Sequence, residues 1–306
     1  MIDTFNAAKA IGRLGERCLK QLHRRVPKAM ACVPGFGDDT KQRILSVMEY
    51  TLYAKSKLMR PILLYVLGES LGVALAKLDA VACAIELMHT FSLIHDDLPA
   101  MDNDNTRRGC LCSHLKFDEA AAILAGDGLA LVATLVIAQD TRLSSTLKLE
   151  NVALLNQHGL VMIEGQWWDT HCHSVDKTKL DYINKLKTAA LISFIWESVA
   201  IIANLSTAQR KLLKSAAYHM GLAFQIQDDL QDCSNGAEHK QQTGYPEVVG
   251  ISRSVVVFNE HCRRLISILC KSELSSDGVF RVLSVIAEFI SCEVLAKYLS
   301  SAGQLV

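Results

Sequence analysis

The sequence predicts an all-α protein, and three observations carry that expectation. Only five prolines, at positions 27, 34, 61, 99 and 246, interrupt 306 residues, which leaves long stretches free to remain helical. Apolar residues recur at helical spacing along most of the chain, whereas alternating strand patterns are hard to find. Half of the residues are apolar and only 6% aromatic, enough to build a large aliphatic core.

From the amino terminus, Met1–Lys20 is amphipathic and of mixed charge, unlike a secretory signal. The Pro- and Gly-containing stretch Val33–Asp39 predicts a loop. In Leu78–Leu98, the residues Leu78, Val81, Ala82, Ile85, Met88 and the Phe91/Leu93/Ile94 group cover most of the circumference, so this helix is expected in the core of a sizeable bundle. Asn103–Ser113 predicts a second loop. Ala120–Ala138 and Thr188–Leu205 imitate membrane spans, yet Asp127 and Glu197 interrupt them. A carboxylate at a bilayer centre is costly, so both are expected to be buried helices of a soluble, cytoplasmic protein with no membrane span. Leu212–Asp232 repeats the core-helix pattern. Further loops are predicted at His171–Lys179, Cys233–Pro246 and Ser272–Gly278. With no linker-like tract or internal repeat, a single domain over residues 1–306 is expected.

Thirty-two Lys and Arg balance thirty-two Asp and Glu, and this zero net charge argues against a nucleic-acid partner. Anionic ligands must therefore be caught by local basic clusters rather than by a global field. Ten cysteines at irregular spacing, with no Cys-x-x-Cys pair, read as reduced thiols, mostly buried as small apolar residues. Asp169-Thr170-His171-Cys172-His173 offers zinc-type ligands, but a structural zinc site needs ligands converging from two segments, so a surface loop is expected.

Two acidic clusters carry the chemistry. The first, His95-Asp96-Asp97-Leu98-Pro99-Ala100-Met101-Asp102-Asn103-Asp104, directly follows the apolar helix. Carboxylates at the end of a buried helix are expensive unless paired or bound to cations. Pro99 should break the helix and let Asp102 return toward Asp96, with Arg107-Arg108-Gly109 close behind. In the second cluster, Gln225, Asp228 and Asp232 stand at i, i+3 and i+7. They form one polar stripe on a helix, flanked by the apolar Leu222, Ala223, Phe224, Ile226 and Leu230. Two such clusters with cationic side chains are the parts needed to hold several Mg²⁺ ions around a diphosphate.

At these residues the chain resembles the bacterial-type farnesyl and geranylgeranyl diphosphate synthases. The matching segments are SLIHDDLPAMDNDNTRRG, GLAFQIQDDLQD, KTAAL, SKLMRP, AGDGLA and EGQWWD. The resemblance implies an isoprenoid-synthase helical bundle around a central catalytic cavity, acting as a homodimer. It implies condensation of isopentenyl diphosphate with dimethylallyl or geranyl diphosphate to farnesyl diphosphate, by ionisation followed by condensation. Asp96, Asp102 and Asp228 would ligate Mg²⁺, three ions with substrate bound, with Asp97 and Asp232 in support. Arg107, Lys187 and Gln225 would hold the allylic diphosphate, and Lys57, Arg60, His89 and Arg108 would grip isopentenyl diphosphate. Thr188 and Gln225 would turn oxygen dipoles toward the allylic cation. Phe91, five residues before the first motif, would limit product length to fifteen carbons. Helix arithmetic adds that His89 and Asp96, seven apart, share a stripe, and that Ser92 lies nearer that stripe than Phe91.

The chain also departs from the family pattern. Lys55-Ser56 stands in place of a Gly-Gly, Leu58 in place of an arginine, Ala189 in place of a glycine, and Leu111-Cys112 in place of a Pro-Thr. After Asp232 the segment Cys233–Gly244 is short and contains only Lys240, with Gln242 near the place of a second lysine. Three alternatives stay open on this reading: a geranylgeranyl diphosphate synthase, a synthase-like partner subunit of impaired activity, and a related terpene cyclase. The cyclase would not need Lys57, Arg60 and His89 for a second diphosphate, and its second metal motif is usually of the Asn/Ser/Glu kind.

Overall fold

The computed structural model describes residues 5–34, 37–172, 175–234 and 244–302. Nearly all of these are helical, and the described chain falls into two compact units. One comprises Gly12–Ile62 and Ala76–Leu155; the other comprises Met1–Ile11, Leu63–Leu75 and Asn156–Val306.

The first unit holds most of α1 (Ala7–Ala31), α2 (Asp38–Leu52), the start of α3 (Met59–Ser70), α4 (Leu75–Asp96), α5 (Ser113–Lys116), α6 (Glu119–Ala138) and the start of α7 (Ser145–His171). Helix α4 is buried almost all round, as its pattern predicts, and it also carries two fully buried carboxylates. Such charges persist only when paired. Asp79 accepts a two-pronged contact from Arg17 (2.7 and 2.9 Å), and Glu86 accepts from Arg108 (3.0 Å). Helix α6 starts at an N-cap, the Asp118 carboxylate accepting from Ala121 N–H (2.7 Å). Gly126 lets it approach α4: a Cβ there would lie 2.2 Å from His95 Nε2, which instead donates to the Ile123 carbonyl (3.0 Å).

The span expected to be a plain loop after α4 contains a minimal hairpin. β1 (Thr106–Arg107) pairs antiparallel with β2 (Cys110–Leu111), Thr106 opposite Leu111 and Arg107 opposite Cys110. The two residues between them, Arg108 and Gly109, both have positive φ (55° and 80°), the signature of a type I′ turn.

The second unit holds α8 (Lys177–Lys187), α9 (Ala189–Ile202), α10 (Thr207–Ser234), α11 (Tyr245–Val249), α12 (Ile251–Leu269), α13 (Ser276–Phe289) and α14 (Glu293–Ala302), with the rest of α3 and α7. Helix α9 is the second span-like segment, and at fourteen residues it is short of a membrane crossing. Its Glu197 is paired with His158 (3.1 Å) and Lys214 (3.1 Å). Gly221 of α10 packs on Ala189, where an added Cβ would lie 2.6 Å from the alanine methyl. The alanine that replaces a glycine at 189 is thus accommodated by a glycine opposite. The buried Gln227 amide ties down the α13–α14 link through the Phe289 carbonyl and Ser291 N–H (3.1 and 2.7 Å).

Among the described residues two helices, α4 and α6, are long and apolar enough to cross a membrane; α4 is mostly buried and α6 less than half. No disulfide occurs among the described residues. The expectation that these thiols are mostly buried needs correcting: Cys18, Cys83, Cys112 and Cys262 are buried, but Cys32, Cys110, Cys233 and Cys270 are exposed. Cysteine is small enough to sit at helix ends and turns without needing the core.

Candidate active site

In the first unit the last turn of α4 ends at Asp96, and the chain reverses over Asp97–Met101 with Pro99 in the turn. The Asp102 N–H donates to the Asp96 carbonyl (2.8 Å) and the Asn103 N–H to the Leu98 carbonyl (3.1 Å). Asp102 therefore returns beside Asp96, as the break at Pro99 predicts, and both are half-buried. Asp97 differs: it is buried and accepts from Arg107 Nε and Nη2 (2.8 and 2.6 Å), while Arg107 Nη2 also reaches Asp104 (2.5 Å). These contacts fix the Arg107 fork beside the aspartate turn.

The hairpin sends its two arginines to different partners. Arg108 donates to the Thr51 carbonyl and the buried Glu86 (both 3.0 Å), and its side chain is only 9% exposed. Burial pushes the Glu86 carboxyl above its usual range, opposed by the Arg108 and Arg60 charges. Arg60 Nη1 donates to His89 Nε2 (3.0 Å). Burial first, then the charges of Arg60, Arg108 and Arg107, hold His89 well below the usual histidine range, so its ring is neutral and accepts that bond. Lys57 is exposed in the loop before α3. Phe91 is half-buried with its ring edge-on to His95, centroids 4.9 Å apart. Ser92 faces back to the His89 carbonyl (2.9 Å).

Backbone strain marks the same segments. Among the described residues four that are not glycine have positive φ: Leu58, Asn103, Arg108 and Asn204. Asparagine tolerates this region, but Leu58 and Arg108 do so at a cost of roughly 1 kcal/mol or more each. Both stand in or beside the basic motifs. The departures from the family pattern are built in here: Ser56 Oγ accepts from Leu58 N–H (3.1 Å), and the buried Leu58 packs near Gly15.

In the second unit α8 ends at Lys187 and α9 begins at Ala189, with Thr188 at the break. Gly165 of α7 makes the close approach possible, since a Cβ there would lie 2.3 Å from the Lys187 backbone nitrogen. Lys187 Nζ is held by Asp169 (2.5 Å). Thr188 Oγ donates to Gln225 Oε1 (2.6 Å), and Gln225 Nε2 donates to the buried Asp229 (2.9 Å). Asp229 also accepts from Tyr245 N–H (3.0 Å), and the Tyr245 hydroxyl bonds Asp181, which pairs with Lys177 (2.6 Å). One hydrogen-bonded chain thus runs from Thr188 through Gln225 to Asp229 and Tyr245. Asp228 and Asp232 are half-buried on the same helix, α10.

No sequence motif assigns a role to Asp169, Asp229 or Tyr245. Asp169 ends the EGQWWD segment and Asp229 lies within the second cluster, so the types were visible; their pairings join residues distant in sequence and were not. Lys240 and Gln242 lie outside the described residues, as does His173. His171 closes α7 with its ring stacked on Trp167 and Nδ1 on the Trp167 carbonyl (2.9 Å). Among the described residues no three His, Cys, Asp or Glu side chains converge to cage a metal. The oxygen donors of Asp96 and Asp102 at the α4 turn are nevertheless of the kind that suits Mg²⁺, which keeps several waters and takes one or two carboxylates with substrate oxygens.

The Polyprenyl synthetase family profile matches residues 41–245. The chain is 38% identical to the farnesyl diphosphate synthase of Haemophilus influenzae over 225 residues, covering 68% of this chain and 76% of that one. It is 34% identical to the Escherichia coli farnesyl diphosphate synthase over 260 residues, 78% and 84% of the respective chains. Among solved structures, a geranyltransferase from Legionella pneumophila superposes with a TM-score of 0.81 at 29% identity, covering 92% of this chain and 96% of that one. By sequence and by fold, this chain belongs to the polyprenyl synthetase family.

Proposed function

We propose that the protein is a trans-prenyltransferase, a single domain that condenses isopentenyl diphosphate with dimethylallyl or geranyl diphosphate to give farnesyl diphosphate. The observation that carries this reading is the turn after α4. It spends a buried aspartate, Asp97, on fixing Arg107, and it folds Asp102 back onto Asp96. A turn with no ligand to hold has no need of half-buried carboxylates set beside a clamped guanidinium.

Asp96, Asp102 and Asp228 would hold Mg²⁺, which when bound neutralises the charge growing on the departing diphosphate. Arg107 and Lys187 bind the allylic diphosphate, and each is pre-oriented by a carboxylate, Asp97 and Asp169, so little reorganisation is needed as the C–O bond breaks. Lys57, Arg60, His89 and Arg108 serve isopentenyl diphosphate. Among them, Arg108 acts chiefly through the Glu86 pair, and the neutral His89 positions Arg60. Gln225 is fixed by Asp229, and with Thr188 it presents oxygen dipoles to the allylic cation. The isopentenyl double bond attacks that cation, forming the new C–C bond, and the proton then lost passes to diphosphate. Apolar walls, with Phe91 limiting chain length, keep water from the cation. The protein is read as a cytoplasmic homodimer.

The test is product analysis by mass spectrometry after incubation with isopentenyl diphosphate, Mg²⁺ and either allylic starter. Farnesyl diphosphate is expected, and chelation by EDTA abolishes it. A twenty-carbon product reassigns the chain length, and no product from either starter with the protein folded favours the impaired partner subunit.

A further inference from the structure

The net charge of zero makes any local excess of cations informative, and one such excess, outside the residues discussed above, lies in the first unit. Arg24, Arg25 and Lys28 stand at i, i+1 and i+4 near the end of α1, and Arg142 follows α6; the four line one cavity of about 180 Å³. Its only carboxylate, Asp140, is buried and already satisfied: it accepts from Arg25 (2.8 Å) and from the N–H groups of Arg142 and Leu143 (2.7 and 3.0 Å). Arg142 lies 3.9 Å from Asp79, but that carboxylate is the one held by both prongs of Arg17. Arg24 donates to the Gln21 amide oxygen (2.7 Å), and neither it nor Lys28 pairs with a carboxylate among the described residues.

A cation in the last turn of a helix offsets the helix dipole, and that accounts for Lys28. It does not account for Arg142, which belongs to another element yet lines the same concavity. The four cations exceed the one carboxylate by three, the excess charges around the cleft repel, and an anion relieves that repulsion. Arginine forks favour phosphate oxygens, which accept two N–H groups at once. A cleft of about 180 Å³ has room for a phosphate or diphosphate group. We propose that this cavity is a second anion site, separate from the residues assigned to prenyl transfer, that binds a diphosphate group. The group could come from free inorganic diphosphate or from the head of a prenyl diphosphate whose tail stays outside.

Titration calorimetry of the full chain with inorganic diphosphate tests this, in EDTA so that binding through Mg²⁺ is removed. One diphosphate per chain is expected, weakened by added salt. Arg24→Glu/Lys28→Glu, at two exposed positions, should weaken it at least tenfold with an unchanged thermal melt. Lys77→Glu/Lys116→Glu makes the same change in net charge elsewhere on this unit and should bind as the parent does. No binding by the parent, equal binding by the first variant, or equal weakening by the second would overturn the proposal. Because the readout is binding without Mg²⁺, it stands or falls apart from the prenyl-transfer reading. Competition by geranyl diphosphate at equal affinity would identify the head of an ester as a ligand, and a clear preference for inorganic diphosphate would identify the free anion.

Discussion

Lys187 shows how much of the candidate chemistry rests on single side chains. Its ammonium is drawn to Asp169, and the backbone that carries it is seated against Gly165, so both charge and position are set before any substrate arrives. Lys187→Gln removes the charge and leaves Asp169 without this partner. A fall of about a hundredfold in kcat/KM with geranyl diphosphate is expected, the scale of losing one preorganised donor to developing negative charge. Lys187→Arg should recover part of it, and a loss below threefold would take Lys187 out of the mechanism. Phe91→Ala should lengthen the product, read by chromatography; an unchanged product would show that the ring does not bound the chain. The return of Asp102 to Asp96 was legible in the sequence because Pro99 dictates a break there. The pairings Asp97–Arg107, Asp169–Lys187 and Asp229–Tyr245 were not, since they join residues ten to eighteen positions apart that only a folded chain brings together.

At the scale of elements, the helices whose apolar residues wrap the circumference were the legible ones: α4 and α10 sit where their patterns predict. The hairpin Thr106–Leu111 was not legible, because its strands are two residues long and it is created by positive φ at Arg108 and Gly109 rather than by alternation. The pairing of α10 with α12 was also hidden, and it carries a pH dependence. His219 and His261 meet Nδ1 to Nδ1 at 2.8 Å, so one donates and the other accepts, and the accepting ring must be neutral. Burial, then His219, Lys177 of α8 and Arg264 of α12, lower His261 to about 4, and His219 is lowered too. In the unfolded chain a histidine titrates near 6.5, so between the two values only the unfolded state takes the proton. The contribution to stability is therefore full above about pH 6.5, is lost as pH falls toward 4, and is flat below that. Urea unfolding should lose roughly 2 kcal/mol between about pH 6.5 and pH 5 through His261. His261→Gln should flatten that part of the profile, and an identical slope in the variant would show that the pair is not the cause.

For the whole molecule, the question is what covers the apolar surface that the fold leaves open. On α7, Leu149, Leu160, Ile163 and Trp167 are all exposed, Leu160 to 67%, and their spacing is that of one seam along a helix. On α6, Leu124 and Leu131 are exposed as well, Leu131 also to 67%. Single exposed leucines are ordinary, but several exposed apolar residues aligned on one face of a long helix mark an interaction surface. A membrane would accept the apolar face of α6 by itself, yet the exposed Glu150 and Glu164 flank the α7 stripe, and a second polypeptide accommodates such carboxylates where a hydrocarbon core does not. A second copy of this chain is the partner that the family resemblance implies, and two such stripes packed together would exclude water along several turns. Leu160→Glu/Ile163→Glu changes only exposed positions, so the variant should keep its thermal melt while sedimenting as a monomer where the parent sediments as a dimer. If the variant remains dimeric, the α7 stripe is not the interface. If the parent is itself monomeric at micromolar concentration, the exposed leucines answer to some other partner, and vesicle flotation of the parent decides whether that partner is a lipid surface.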